Sequence, residues 1–457
     1  MSVHQSRRQP LVDPPWSTLT YLALGRSVLA FEAQRTQLAH RKIESCEFID
    51  HVTVRYHVSV DMTRPTALTS FTQSPIASTD EWLAPVALLR KAVLRNFNIA
   101  DGNGAAVTVL TTTEHRKLAT SMIVNRAQSL LGKEHLATGL AHEIDRIVRE
   151  EDWRTGRKLW RRFTSCQDAA AELKQQRAVL LNDSTFSWLL GNLAENFFLC
   201  ALIQAKPGDR VLLKYEYETS VRLVRSVQPR THWAKRNLRW LAQQLGLLPL
   251  RLRIGASVNE FGSYHIELLP PDEVFCTVAE LRAIRDEGKK TRMLGKERAV
   301  RRVHIHTVAA HSRESGMFDV SLLLRTDGFL AAAWLVSLLT VLLLAGGLVL
   351  HSEGVSTLPG GSGILATLPG LIGAYLFRPG AHRLVRRLGQ GIRFLVGFLV
   401  VDSFLAAGLL TVHMAPGIRP AWWLSLTVPA VVIFCVISAA WLHSWLSERP
   451  GRQTGAL

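Results

Sequence analysis

The chain is 457 residues long and carries 54 Lys and Arg against 37 Asp and Glu, a formal charge of +17. That length accommodates two or three compact units, and the basic excess favours anionic neighbours such as lipid headgroups, nucleic acid or acidic proteins. Five scattered cysteines (Cys46, Cys166, Cys200, Cys276 and Cys435) exclude a disulfide framework, and no CxxC pair offers zinc ligands. Unpaired thiols fit a reducing compartment.

Residues 1–15 are polar and proline-containing, and read as a disordered N-terminus with no apolar signal core. Trp16 to about Lys42 reads as a helix. His51–Met62 is the clearest strand. Val52, Val54, Tyr56, Val58, Val60 and Met62 alternate with His51, Thr53, Arg55, His57, Ser59 and Asp61, so one face meets a core and the other water. His51 and His57 fall on the wet face with no third ligand at a useful spacing, and read as solvated.

Pro65–Asp80 reads as a loop, and Trp82–Leu110 as two or three short strands with Asp101-Gly102-Asn103-Gly104 as a hairpin turn. Thr113 is the expected N-cap of a helix running to about Leu131. From Lys133 to Gln204 the pattern is helical throughout, with Leu136, Leu140, Ile144 and Ile147/Val148 on one stripe. Ser184–Gln204 is apolar, but Asn192, Glu195 and Asn196 would be costly in lipid, so it reads as a buried core helix. A turn at Lys206-Pro207-Gly208-Asp209 leads to a strand with Val211, Leu213, Tyr215 and Tyr217 on one face. Further strands are expected at Leu250–Val258, Ser263–Leu268, Arg302–Val308 and Phe318–Leu324. Strands, a helical block and strands again predict an α+β domain over residues 16–325, an antiparallel sheet or sandwich with a helical insertion at about 113–205.

Catalytic motifs are missing from the sequence. Ala141-His142-Glu143-Ile144-Asp145-Arg146 begins like a zincin helix, but Arg146 stands where the second His is needed. His304 and His306 share a strand face, as do His265 and Glu267, and these read as a solvated sheet face. There is no GxxxxGK[ST], GxSxG or GxGxxG, so no catalytic residue, metal ligand or cofactor is assigned.

Two basic features stand out. His232–Leu248 is an amphipathic helix rich in Trp, Leu, Lys and Arg, suited either to packing on a sheet or to a membrane interface. Arg282–Arg302 holds nine Lys/Arg and is broken by Gly288 and Gly295, which predicts a partly mobile loop. Its Lys289, Lys290, Arg292, Lys296, Arg298, Arg301 and Arg302 are candidate contacts to anionic lipid or a partner, worth up to about 1 kcal/mol each at an anionic surface. No aromatics are interleaved to stack bases, which disfavours nucleic acid.

Gly328–Leu350 is 23 residues without a charge, about 34 Å at helical rise against a hydrocarbon core of ~30 Å. Three further apolar stretches follow, at 358–377, 394–413 and 422–446, then a tail at 447–457. The sequence thus predicts an all-α four-helix transmembrane region. Before Gly328 stand 46 basic and 34 acidic residues, a net +12; from Gly328 onward there are eight and three, a net +5. Arg378–Arg393, between the second and third stretches, has five Arg, among them Arg383, Arg386 and Arg387, and no acid. By the positive-inside rule this connection and both termini are cytoplasmic.

Asp402 is the one acid inside a predicted span, nine residues beyond Arg393 and ~13 Å deep. Ser337 and Ser438 lie at similar depth in their own spans. The three could line a proton or cation path, or Asp402 could make one interhelical hydrogen bond; lacking a second acid or base at that depth, the second reading is preferred.

The runs AYLFRPGAHRLVRR at Ala374–Arg387, APVALLRKAVLRNFNIADGNG at Ala84–Gly104 and SYHIELLPP at Ser263–Pro271 resemble an uncharacterised group of actinobacterial multi-span membrane proteins. The resemblance covers much of the chain in order. It implies a bacterial plasma membrane and supplies no activity and no site residues. The functional expectation is a sensor or scaffold at the anionic inner leaflet with a small-molecule or protein partner. The alternative is an oligomeric channel or transporter lined by Asp402.

Overall fold

The computed structural model describes residues 18–50, 52–66, 80–92, 94–132, 136–165, 171–223, 233–256, 258, 261–284, 291–308, 315–352, 367, 382–411 and 419–449. The chain divides into two units. One comprises Met1–Arg41, Ser59–Leu94 and Asn98–Tyr215, the other Lys42–Val58, Arg95–Phe97 and Glu216–Leu457.

Helices α1 (Thr18–Ala33) and α2 (Arg35–Leu38) give way to strand β1 (Ala39–Phe48), so the expected first helix stops short of Lys42. In β1 the inward positions include Lys42 and Glu44, both buried and 2.5 Å apart. A salt bridge on the core side hides the apolar alternation by which a strand is recognised. Strand β2 (Thr53–Thr63) follows, with Val54, Tyr56, Val58, Val60 and Met62 buried as their spacing requires.

Strands β3 (Glu81–Arg90), β4 (Arg95–Asp101) and β5 (Thr108–Val109) come next. The Asp101 turn is closed by the Asp101 carboxylate, which accepts from Asn103 N at 2.9 Å and Ala105 N at 2.8 Å, and Gly104 takes φ +88°. Helix α3 (Thr112–Leu131) is capped by Thr111 rather than the expected Thr113. Thr111 Oγ1 accepts from Glu114 N, and the Glu114 carboxylate accepts from Thr111 N at 2.6 Å. Only Thr111 has a glutamate three residues on to complete that reciprocal box.

The helical block continues as α4 (Thr138–Arg149), α5 (Trp153–Ser165), α6 (Ala171–Asn182) and α7 (Ser184–Glu195). It ends there, because the second half of the apolar run is strand β6 (Asn196–Gln204), a correction to the single buried helix. β6 is the middle strand of the sheet β3-β6-β5, and Phe198, Leu199, Cys200 and Ala201 are all buried. A strand covered on both faces reads as a continuous apolar run, which periodicity cannot tell from a buried helix. Leu118, Met122 and Ile123 of α3, Leu140 and Ile144 of α4, Phe186 and Leu190 of α7, and Phe198 share one core.

A six-stranded sheet runs in the order β13-β10-β1-β2-β7-β4 and a five-stranded one in the order β12-β11-β14-β9-β8. Their remaining strands are β7 (Arg210–Ser220), β8 (Arg222–Leu223), β9 (Leu250–Ala256), β10 (Ser263–Leu269), β11 (Val274–Ile284), β12 (Thr291–Val300), β13 (Val303–Val308) and β14 (Ser315–Leu324); helix α8 (Trp233–Gln244) lies between β8 and β9. Of the basic Arg282–Arg302 stretch, residues 282–284 and 291–300 are therefore paired backbone, while the expected break at Gly288 lies outside the described residues. β11 and β12 run antiparallel from Cys276↔Val300 to Ile284↔Thr291. Gly295 does not break β12; a Cβ there would come within 2.3 Å of Ile305 Cγ2, so the glycine permits close packing.

After β14 come α9 (Phe329–Ser352), α10 (Arg383–Leu388), α11 (Gln390–Thr411) and α12 (Arg419–Glu448). Of these, α9, α11 and α12 are long and apolar enough to cross a membrane. The expected second span at 358–377 and the disordered stretch at 1–15 lie outside the described residues, Thr367 excepted.

Candidate functional site

The C-terminal unit contains both the five-stranded sheet and the long apolar helices, and its clearest feature is how they join. β14 ends at Leu324, and Gly328 adopts φ +68° to turn the chain into α9. The far end of α12 returns to this corner. Thr326 N and Oγ1 donate to the two oxygens of Glu448 at 3.0 and 2.6 Å. Trp441 Nε1 donates to Thr326 O at 3.3 Å, and Ser444 Oγ donates to Leu324 O. On the sheet side, Arg325 N donates to Glu273 O at 2.9 Å and its guanidinium to Asp272 O at 3.0 Å. The corner is thus clasped from both sides by groups that each need a partner once shielded from water.

A cavity of about 1250 Å³ lies among α8, α10, α11 and α12. It is lined by Arg383, Arg386 and Arg387 of α10, by Arg393, Phe394 and Leu395 of α11, by Val432, Ile433 and Val436 of α12, and by Trp240 and Leu241 of α8. Helix α10 is positioned by His382, whose Nδ1 accepts from Leu384 N at 3.1 Å while Nε2 donates to Phe48 O at 2.8 Å. Arg383 lies 3.8 Å from the Asp50 carboxylate. Among the described residues, Arg386, Arg387 and Arg393 have no carboxylate at ion-pair distance, and Glu273 acts on Arg393 from farther off. Arg393 stacks 5.0 Å from the Phe329 ring, and its Nε is buried without an acceptor. Gly391 lets α8 close on α11, since a Cβ there would meet Gln244 O at 2.3 Å. Trp240 stays 61% and Leu241 47% exposed. Helix α8 therefore packs through its C-terminal end and still presents a Trp/Leu face, combining the two readings of its amphipathicity.

No known protein family matches this chain, and no curated protein does.

Within the helix bundle Asp402 is 4% exposed, and its Oδ2 has no hydrogen-bond partner among the described residues. Ser337 and Ser438 are not joined to it. Ser337 Oγ donates to Trp334 O of its own helix at 2.8 Å, and Ser438 Oγ accepts from Trp334 Nε1 at 3.0 Å. Thr340, 0% exposed and also without a partner for its hydroxyl, is a buried polar group with no sequence signal to single it out. Trp423 is 2% exposed and packs on Gly347.

On the five-stranded sheet, Lys296 pairs with Glu280 at 2.5 Å and Arg282 with the same carboxylate, which holds Glu280 below the usual carboxylate range. Arg302 pairs with Glu267 at 2.7 Å. Arg292, Arg298 and Arg301 are exposed, while Lys289 and Lys290 lie outside the described residues. Register places His265 opposite His306 and Glu267 opposite His304. His265 and His304 approach to 3.3 Å, with His304 3.4 Å from Glu267, yet no metal-binding group of three forms among the described residues. Burial pushes the Cys46, Cys200 and Cys276 thiols up, Cys276 to about 12, which disfavours thiolate chemistry.

The other unit has a cavity of about 180 Å³ lined by Glu143, Arg146, Arg162, Phe163 and Arg177 among others. Arg177 is 3% exposed, ion-paired to Glu143 at 2.5 Å and stacked 4.8 Å from Phe163. The near-zincin segment is therefore structural: Glu143 holds Arg177, and Asp145 holds Arg149 at 2.8 Å.

Proposed function

We propose that this chain is a multi-pass protein of a bacterial plasma membrane. Both termini lie in the cytoplasm, and its mixed α and β part acts as a sensor or scaffold at the anionic inner leaflet. The observation that carries the reading is the clasp at Thr326. A soluble domain on a plain anchor needs only a linker, whereas here the end of α12 is hydrogen-bonded to the strand-to-helix corner. Such a joint passes strain between the sheet and the helices, which is what a sensor requires. The arginine-lined cavity of about 180 Å³ offers room for a small anion.

The test is native mass spectrometry of the gently purified full-length chain, followed by hydrogen exchange with and without any retained molecule. A retained small molecule or protein whose removal changes exchange at β14 and the last turn of α12 supports the sensor. The same protection in both states would sink it. Glu448→Ala is expected to raise exchange at Thr326 and Leu324 whether or not a ligand is present.

A second reading has one observation behind it, the buried, unpartnered Oδ2 of Asp402. An acid held among apolar helices is costly and so marks a candidate ion or proton path. If the chain is an oligomeric channel, cation flux into proteoliposomes should collapse in Asp402→Asn; flux that survives, or never occurs, removes this reading.

A further inference from the structure

We propose that the cavity bounded by α8, α10, α11 and α12 holds one anionic phospholipid from the surrounding leaflet, a reading that rests on the membrane location proposed above. The phosphate would sit among Arg386, Arg387 and Arg393, and an acyl chain would run along Val432, Ile433 and Val436.

Three observations converge on this occupant. The first is charge. The lining holds four arginines and no acid; among the described residues only Arg383 has a carboxylate within ion-pair distance, at 3.8 Å, and Glu273 acts on Arg393 from farther off. Clustered guanidinium groups with little counter-charge favour an anion, and their planar fork matches phosphate oxygens. The second is the mixed lining, arginines from α10 and α11 and aliphatic residues from α12. A water-soluble phosphate compound would leave Val432, Ile433 and Val436 uncovered, and a wholly apolar ligand would leave the Arg393 Nε buried without an acceptor. A phospholipid satisfies both ends. The third is position. Arg393 lies near the start of α11, a helix apolar enough to cross a bilayer, so the charged side falls where headgroups are and the apolar side where chains are. Trp240 and Leu241, exposed on α8 beside this opening, have the composition of an interfacial segment. Gly391 keeps α8 pressed on α11, which makes the wall a fixed part of the fold. Arg386, Arg387 and Arg393 together exceed the single charge of a simple phosphodiester headgroup even with Glu273 acting on Arg393, so a dianionic phospholipid is held more tightly than a monoanionic one.

The test uses the full-length protein in neutral detergent, titrated with phosphatidylcholine, phosphatidylglycerol or cardiolipin and read by native mass spectrometry. One retained lipid is expected, with cardiolipin over phosphatidylglycerol and phosphatidylcholine at least tenfold weaker. Arg386→Gln/Arg387→Gln should weaken retention of the anionic lipids about tenfold. Val436→Trp, which fills the apolar side and keeps every arginine, should do the same, while Arg449→Gln, outside the cavity, should not. If the double variant does not fold, Arg393→Gln and Val436→Trp carry the same expectation from the two sides. Equal retention of phosphatidylcholine, or unchanged retention in the folded variants, overturns the proposal. So does displacement of the lipid by millimolar glycerol phosphate, which would mark a site for a free phosphate compound. Alkaline carbonate extraction separates the two levels. A wild-type chain released by carbonate defeats the membrane reading itself; a chain that stays in the membrane without lipid preference defeats only this inference.

Discussion

His115 offers a quantitative test of how the helical block is packed. It lies in the first turn of α3, its ring 5.9 Å from that of Phe197, and its Nδ1 is buried without a partner. Burial lowers its pKa from 6.5 to about 4, against a backbone hydrogen bond with Leu110 that raises it. The folded state thus holds the neutral ring, and the unfolded state binds more protons throughout the window between those values. Stability from this group is fully present above pH ~6.5 and is lost as pH falls toward ~4. Integrating the linkage relation between pH 7 and pH 4.5 gives a loss of about 2.5 kcal/mol. Carboxylates also titrate at the acidic end, so the readout is a difference. Urea unfolding of the full chain in nanodiscs, followed by tryptophan fluorescence from pH 7 to 4.5, is compared between wild type and His115→Leu. The wild type should lose about 2.5 kcal/mol more than the variant over that range. Parallel pH profiles would show that His115 is solvated when folded, and the argument would fail.

Two stability predictions concern the same unit. Thr111→Ala should cost about 1 kcal/mol by removing the cap of α3, while Thr113→Ala should change stability by less than about 0.5 kcal/mol; equal effects, measured as urea midpoints, would contradict the capping box. Gly156→Ala should destabilise by about 2 kcal/mol despite alanine's better helix propensity, because the added Cβ would lie 1.9 Å from the Ala194 carbonyl oxygen and must push α5 off α7. An unchanged or higher midpoint would show that the two helices are not in that contact.

Much of this protein is legible from sequence where one physical constraint acts over a short distance. Bilayer thickness sets a length, so Phe329–Val349 stands out by its length and apolar composition alone. Alternation in β2 and the glycine turns at Gly104 and Gly208 are equally local, since each follows from backbone geometry within a few residues. What escaped needed partners from elsewhere in the chain. β1 is a strand although Lys42 and Glu44 point inward, because Tyr264, far along the chain, donates to the buried Glu44 carboxylate. β6 is a strand because β3 and β5 pair with both its edges. Both ends of the basic stretch became paired strands, β11 with β12 on one edge and β14 on the other. The arginines near α11 were legible as charge, but the aliphatic residues that share their cavity were not, since Val432, Ile433 and Val436 come from another helix. Sequence by itself determined the long apolar helices and the locally patterned strands. Only the tertiary structure decided which charges are buried in pairs, which runs become central strands, and where clustered arginines meet an apolar surface. Those outcomes depend on contacts between residues far apart in the chain, which no local pattern encodes.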